Sequence, residues 1–326
     1  MESALITGAN GFIGSHLACE LVKRGLMVYG VHRNPKSKNP EYNQYVDEGK
    51  IVTFIGDVSN FDTSVLPRVD YVYHIAGKVS VWGKLDEFMK INYNGTKNFL
   101  EYAKLSNVKC FTYLSSVAVY GFYGYKEIKE DGLKKPFKNP YSISKLKTEE
   151  YVKEFGKKND LPFVIIRPGN VYGEYDYTSS HEIYGRVKKE KMMISAGGKY
   201  ESCWVYVKNL VEAILFTSFA KDAHNTDYNV ADGNTNLKDY LTKIAKCYNV
   251  RAKFKNFPAP LAKFTACFIE WIYKLLRIKK APIITRFTVY QNCADYSFST
   301  KKLESVGYKK MYSEDEAIKR TAKYFN

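Results

Sequence analysis

Thr7-Gly8-Ala9-Asn10-Gly11-Phe12-Ile13-Gly14 follows the apolar run Ala4-Leu5-Ile6 and opens a helix-patterned segment, His16 to Arg24, that stops at Gly25. Its glycines lie three apart. Gly8 lets the chain turn sharply off a strand, Gly11 lets the backbone come close to an anionic group, and Gly14 lets the helix pack on the sheet. The helix start adds free N–H groups and a positive dipole end, so Asn10, Phe12 and Ile13 join the glycines as candidates for holding a pyrophosphate. Glycine triplets also serve plain structural turns. The strand before and the helix after tilt this one towards a dinucleotide.

Working outward, strand patterns recur at Met27–Val31, Ile51–Ile55, Tyr71–Ile75, Cys110–Leu114 and Phe163–Ile166, with helical patterns at 88–105 and 142–157 between them. Strands alternating with helices predict an α/β fold, a parallel sheet covered on both faces. After Arg167-Pro168 the alternation fades. Residues 1–169 with about 204–235 read as a nucleotide-binding domain, and about 170–203 with 236–326 as a smaller, mostly helical substrate-binding part. The loop-rich stretch from Val171 to Lys199, carrying Glu174, Tyr175, His181 and Tyr184, is expected to face the pocket.

The chain has 326 residues, 45% hydrophobic and 26% charged, ordinary for a globular protein that buries a core without disulfides or metals. Fifty Lys and Arg against 34 Asp and Glu give a net charge of +16. The cations are dispersed and form no basic arm, so no nucleic-acid partner is expected. Six cysteines without a CxxC pair, and five histidines without ligand spacing, predict no metal site. A strand pattern starts at once after Met1, which points away from a signal peptide and towards a reducing, cytoplasmic compartment. The most apolar stretch, Phe257–Ile278, is interrupted by Lys263, Glu270 and Lys274, which disfavours a membrane span.

The end of the second strand bears on which dinucleotide is bound. An acidic residue there would bond the adenosine ribose of NAD. The chain has Val31-His32-Arg33-Asn34 instead, and Arg33 suits a 2′-phosphate, so NADP(H) is favoured, with NAD(H) the alternative. Asp57, in Gly56-Asp57-Val58, either accepts from an adenine amino group or caps the next segment. Ile75, Ala76 and Gly77 end the fourth strand, where small residues let a cofactor pass close to the backbone. His74 beside them reads as a packed strand-end residue.

Tyr141-Ser142-Ile143-Ser144-Lys145 puts a phenol and an ammonium on one helix face. Tyr93/Lys97, Tyr125/Lys129 and Tyr184/Lys188 have the same spacing. Tyr141 stands out because it follows Pro140 at a helix start and lies 25 residues after Ser116, which ends the Tyr113-Leu114-Ser115-Ser116 strand. A phenol of pKa about 10 needs about 4 kcal/mol in favour of the phenolate to work as a base at neutral pH. An ammonium at about 4 Å and an effective dielectric of about 20 supplies about that. Tyr141 would then exchange a proton with a substrate oxygen that Ser116 also holds, and Lys145 would support both.

Taken together, Thr7–Gly14, Asp57-Val58, Asn92, Leu114-Ser115-Ser116, Tyr141–Lys145 and Arg167-Pro168-Gly169-Asn170-Val171-Tyr172-Gly173 resemble the extended short-chain dehydrogenase/reductases over nearly the whole chain. The resemblance implies a Rossmann fold, a Ser116/Tyr141/Lys145 catalytic set, an Asn92 that supports the active site, and Pro168, Gly169, Asn170 and Val171 beside the nicotinamide. Within that family, Ser116–Gly121, Val205–Leu210 and Asp295–Tyr308 look like the 3β-hydroxysteroid dehydrogenase and dihydroflavonol reductase branch. Nucleotide-sugar epimerases usually carry an arginine where Ser202 stands.

Leu261, Phe264, Phe268, Ile272 and Leu275 recur at helical spacing, with Trp271 and Tyr273 widening the face. That face reads as core, dimer contact, apolar substrate entrance or a helix lying on a membrane surface, with Lys274, Arg277, Lys279 and Lys280 near headgroups. The expectation is an oxidoreductase moving hydride between NADP(H) or NAD(H) and a secondary alcohol or ketone of a hydrophobic small molecule. The alternative is a nucleotide-sugar epimerase or dehydratase. A homodimer is the default assembly and peripheral membrane contact an open one.

Overall fold

The computed structural model describes residues 1–326. Seven strands make one parallel sheet: β1 (Ser3–Thr7), β2 (Met27–His32), β3 (Ile51–Ile55), β4 (Tyr71–His74), β5 (Cys110–Leu114), β6 (Phe163–Pro168) and β7 (Thr226–Val230). In space they run β7-β6-β5-β4-β1-β2-β3. The order reverses between β1 and β4, so the loops after those strands part and leave a crevice at the carboxyl edge. Register keeps that edge level: Thr7 pairs with both Val31 and His74, and Leu114 with Ile166.

Both faces of the sheet are buried, which is why its strands read as apolar runs rather than alternations. Leu17, Leu21, Leu210 and Ile214, from the helices Phe12–Lys23 and Val207–Phe219, pack on one face. Phe99, Ala103, Val152 and Phe155, from Gly95–Ser106 and Pro140–Lys158, pack on the other. The segment read as one helix over 88–105 is helical from Leu85 to Ser106, with a π-helical turn at Met89–Asn94.

The C-terminal part is less helical than its sequence suggests. Gly233–Asn236, Glu201–Tyr206, Tyr296–Phe298 and Tyr125–Ile128 form a second sheet, to which Asn170–Tyr172 adds on Glu201–Tyr206. The stretch read as loop from 169 to 203 contains this strand, the helix Ser180–Lys188 and the strand Met192–Ser195. These elements are short, and their apolar residues face tertiary partners rather than following a long period.

A buried ion cluster joins two strands of the large sheet to the helix Pro140–Lys158. Arg167, fully buried on β6, makes two parallel bonds to Glu149, Nε to Oε1 at 2.9 Å and Nη2 to Oε2 at 2.8 Å. It also donates to the Tyr120 hydroxyl at 2.7 Å and contacts Asp227 on β7. Burial pushes the Asp227 carboxyl up, and the charges of Arg167, Lys153 and Lys302 bring it below its ordinary value. Arg167→Met strips the buried Glu149 carboxylate of its counter-charge and Asp227 of one of its three cations, and should cost about 3–5 kcal/mol, read as a lower midpoint in urea unfolding. A loss under about 1 kcal/mol would mean that the cluster behaves like a surface pair.

Candidate active site

The crevice is a cleft of about 1030 Å³ at the carboxyl edge of the large sheet. Gly8, Asn10, Gly11, Phe12, Ile13 and Gly14 form its floor. Arg33, Asp57 and Val58 line the β2–β3 side. Ile75, Ala76 and Gly77 follow β4, while Ser115, Ser116, Tyr141, Lys145, Pro168, Gly169, Asn170 and Val171 line the β5–β6 side. The structure therefore gathers into one cleft every residue singled out for cofactor or chemistry except Asn92.

Asn92 sits one layer behind the wall and is buried. Its Oδ1 accepts from the Lys78 N–H at 2.6 Å, and its Nδ2 donates to Ser144 Oγ at 2.9 Å. It pins the β4 loop to the Tyr141 helix, so it is a positioning residue rather than a cofactor contact.

The floor fits a dinucleotide on its own geometry. A Cβ on Gly14 would collide with the Gly8 carbonyl, and one on Gly8 would lie 3.1 Å from Ala76 Cα, with Gly8 at φ +72°. Gly11 N-caps the helix Phe12–Lys23 without any side-chain cap bond. First-turn N–H groups have no intrahelical acceptor, so this end offers donors and a positive dipole to phosphates.

Tyr141 and Lys145 begin a helix that the sequence starts firmly. Pro140 occupies its first turn, and Asn139 Oδ1 accepts from the Tyr141 N–H at 2.8 Å. The structure modifies the expected division of labour. Lys145 Nζ donates to the Leu114 carbonyl at 2.7 Å and lies 4.9 Å from the Tyr113 ring centre. Burial pulls its pKa down to about 8, opposed by Glu149. Burial also pushes the Tyr141 phenol above its ordinary value, and the hydrogen bond with Ser116 only partly offsets this. Ser116 Oγ further accepts from the Ala118 N–H at 3.2 Å. The ammonium that was to create a phenolate is thus committed to the end of β5, and burial favours the protonated form of the Tyr141 phenol.

His74 stays out of the chemistry. It bonds Thr7 Oγ1 through Nδ1 at 3.0 Å, and burial lowers its pKa to about 3. Asp57 Oδ1 accepts from the Ser59 N–H at 2.9 Å, the capping role, and its Oδ2 lies 3.9 Å from Arg33, which is 71% exposed.

The 171–199 stretch corrects the expectation that it faces the pocket as a loop. Tyr184 is buried in an aromatic cluster with Tyr240 and Tyr248. Glu174 accepts from the Tyr206 hydroxyl at 2.8 Å, and His181 packs on Phe325. Only Val171, Asp176, Thr178 and Ser179 of that stretch reach the cleft. Asp176 spends both carboxylate oxygens on the Thr178, Ser179 and Ser180 N–H groups and two of their hydroxyls.

The substrate end contains residues that spacing did not flag. Phe122 and Phe287, in T-shaped contact at 4.9 Å, form an apolar wall. Gln291, one turn beyond Phe287, donates to Asn170 Oδ1 at 2.9 Å. The signal available was an i, i+4 pair on the helix Arg286–Asn292, only 7 residues long. Ser202 does not line the cleft. Its Oγ donates to the Thr235 carbonyl at 3.1 Å and accepts from Trp204 Nε1 at 3.0 Å.

Residues 4–231 match the profile of the NAD dependent epimerase/dehydratase family. The chain belongs to that family. It is similar to an N-acetyl-alpha-D-glucosaminyl-diphospho-ditrans,octacis-undecaprenol 4-epimerase of Escherichia coli O157:H7, 26% identical over 99% of this chain and 95% of the relative. It is also similar to a 2-alkyl-3-oxoalkanoate reductase of Shewanella oneidensis, 25% identical over 98% of this chain and 85% of that one. Among solved structures, UDP-glucuronic acid 4-epimerase from Bacillus cereus in complex with NAD superposes with a TM-score of 0.78 at 21% identity, over 99% and 98% of the two chains. These relatives are sugar epimerases and a keto-acid reductase, so the hydroxysteroid branch suggested by Ser116–Gly121 is replaced by the broader family.

Because burial pulls the Lys145 amine down to about 8, its charge is present below that value and lost above it. kcat/KM for a turnover that depends on this charge should therefore fall above about pH 8. A pH profile taken on wild type and on Lys145→Arg checks this, since a guanidinium keeps its charge and should remove the falling limb. An unchanged limb in the variant would assign it to another group.

Proposed function

We propose that this protein is an epimerase that inverts a secondary alcohol on a diphosphate-linked sugar through transient oxidation, with the nicotinamide dinucleotide regenerated in each turnover. One observation carries the choice of chemistry: the cleft around Tyr141 holds no free carboxylate, and the Lys145 amine beside it is bonded to the Leu114 carbonyl. Ser116 is followed by Val117 and Ala118, Asp57 lies on the far side beyond β1, and Asp176 is consumed by its own turn. Eliminating water from a sugar requires one group to take a C–H proton and another to protonate the departing hydroxyl. Such a pair is missing here, so alcohol–ketone interconversion is favoured over dehydration.

The cofactor, when bound, supplies hydride acceptance and return at the substrate carbon. Tyr141 takes the hydroxyl proton as the carbonyl forms and gives it back to the oxygen on reduction. Ser116 donates to that oxygen, and Asn92 and Asn139 hold the helix and loop that fix the distance. Full-length similarity to an epimerase of a sugar diphospholipid supports the substrate class. A reductase acting on an alkylated 3-oxo acid is the second reading, favoured by the Phe122–Phe287 wall and by the Shewanella relative.

Purified protein incubated with N-acetylglucosaminyl diphospho-undecaprenol should yield the 4-epimer with no net change in nicotinamide absorbance. Stoichiometric consumption of reduced nicotinamide with 2-alkyl-3-oxo acids, and no sugar epimer, would overturn the epimerase in favour of the reductase.

We further propose a preference for NADP(H), because the end of β2, Val31-His32-Arg33-Asn34, carries Arg33 and no acid of its own to hold ribose hydroxyls, and the nearby Asp57 caps its own turn. Arg33→Ala should weaken NADP binding about tenfold or more and leave NAD binding unchanged, as read by fluorescence titration. Equal loss of both would remove the 2′-phosphate role.

A further inference from the structure

The helix Ala259–Leu275 is turned inside out relative to an ordinary surface helix. It buries its small side, Ala262 and Ala266, with Glu270, against the rest of the protein. Its large apolar side chains point to solvent. Phe264 is 69% exposed, Trp271 59% and Leu275 65%, with Leu261 and Phe268 completing the stripe. Phe264, Phe268 and Trp271 stack along it at 6.3 and 6.2 Å. The chain continues through Leu276 and Ile278 to Ile283, 94% exposed. A contiguous apolar face of this kind marks an interaction surface.

Charge decides among the occupants. From 259 to 283 the chain carries Lys263, Lys274, Arg277, Lys279 and Lys280, and one acid, Glu270. Glu270 is buried and already bonded to Arg286, accepting from its N–H and its Nε at 2.7 Å each. The exposed stripe is therefore rimmed by the segment's own cations, and Glu87, the acid near Lys279, is already paired with Lys78. A two-fold pairing of copies would set this patch against itself, cation rim to cation rim, with nothing in the segment to neutralise it. A surface of anionic lipid headgroups over an acyl boundary matches both features at once. No helix of the protein is long and apolar enough to cross a membrane, so this face would lie on the bilayer.

The same face is wired to the cleft. Trp82 Nε1 donates to the Ile278 carbonyl at 3.1 Å, and its ring meets Tyr273 edge-on at 6.2 Å. Trp82 follows Lys78, Val79 and Ser80 of the cleft wall, and Asn139, the cap of the Tyr141 helix, donates to the Val81 carbonyl at 2.9 Å. On the other side, the Glu270–Arg286 pair anchors the short helix that supplies Phe287 and Gln291 to the wall.

We propose that Ala259–Ile283 docks this protein on an anionic bilayer surface and sets the mouth of the cleft at the headgroup layer, where the sugar of a diphospholipid is presented. The substrate part of this proposal rests on the epimerase reading; the docking part does not. Delivery from a surface raises the local substrate concentration. That advantage accounts for a site without the arginine usual at the position of Ser202, whose side chain is turned into the sheet.

Vesicle flotation of the full chain tests it, with phosphatidylcholine vesicles and with a phosphatidylcholine–phosphatidylglycerol mixture. The protein should float with the anionic vesicles and release on added salt. Phe264→Ser/Phe268→Ser should weaken binding about tenfold or more, as should Lys279→Glu/Lys280→Glu. Tyr141→Phe should float like wild type. Failure of wild type to float, or a solution dimer that the Phe264/Phe268 variant splits, overturns the docking. Flotation without epimerisation of the sugar diphospholipid overturns the epimerase reading and leaves the docking in place. Epimerisation by a protein that ignores vesicles does the reverse.

Discussion

The guanidinium of Arg167 is the constraint on which the site's geometry depends. It stands at the carboxyl end of β6, fully buried, and ties the Tyr141 helix to β7 and to the turn beyond β5 through Glu149, Asp227 and the Tyr120 hydroxyl. Glu149 lies eight residues, just over two turns, beyond Tyr141 and also accepts from Ser115 Oγ. One carboxylate thereby fixes both the rotation of the helix that carries Tyr141 and the strand end that carries Ser116. An apolar set of similar volume would cost less desolvation and could fold as tightly. It would not set the angle of the helix about its axis, because dispersion contacts have no preferred direction. The hydrogen bond between Ser116 and Tyr141 needs that angle, and the directional bonds of the cluster supply it.

Parts of this arrangement were legible in the sequence because their causes are local. The glycine turn reads directly, since a strand, three glycines at spacing three and a helix start admit few backbone paths. Tyr141 was separable from three other YxxxK pairs only through Pro140 and the strand ending at Ser116. What failed to read was tertiary. Glu149 and Arg167 look like a surface acid and a strand-end base until the fold closes over them. Asn92 sits in a π-turn, which shifts the helical phase and turns its amide towards Ser144. Tyr184 was placed at the pocket by position in the chain, whereas the fold buries it with its hydroxyl against that of Tyr240 and its ring edge-on to Tyr248.

The helix Ala259–Leu275 is a sharper case. Its period of 3.6 was plain, and period identifies one apolar face without saying which way it looks. Size settles the direction here. Alanines at 262 and 266 permit close approach to the helix Arg286–Asn292, so the narrow side packs inward and the bulky side has nowhere to go but out. Reading amphipathicity as burial would have placed Phe264 and Trp271 in a core that does not exist.

Burial acts on both titrating groups of the site in the same sense, towards the neutral form. It lowers Lys145 to about 8 and raises Tyr141 above an ordinary phenol. The resting cleft therefore holds a phenol that keeps its proton and an ammonium close to losing its own. Positive charge brought into the cleft moves these two groups in a single direction of proton affinity: it weakens the hold of the phenol on its proton and that of the amine as well. The oxygen of the phenol is then the one that can take up a hydroxyl proton when a carbonyl forms beside Ser116. A site that becomes basic only when positive charge enters suits the proposed reaction, which oxidises an alcohol and then returns the electrons.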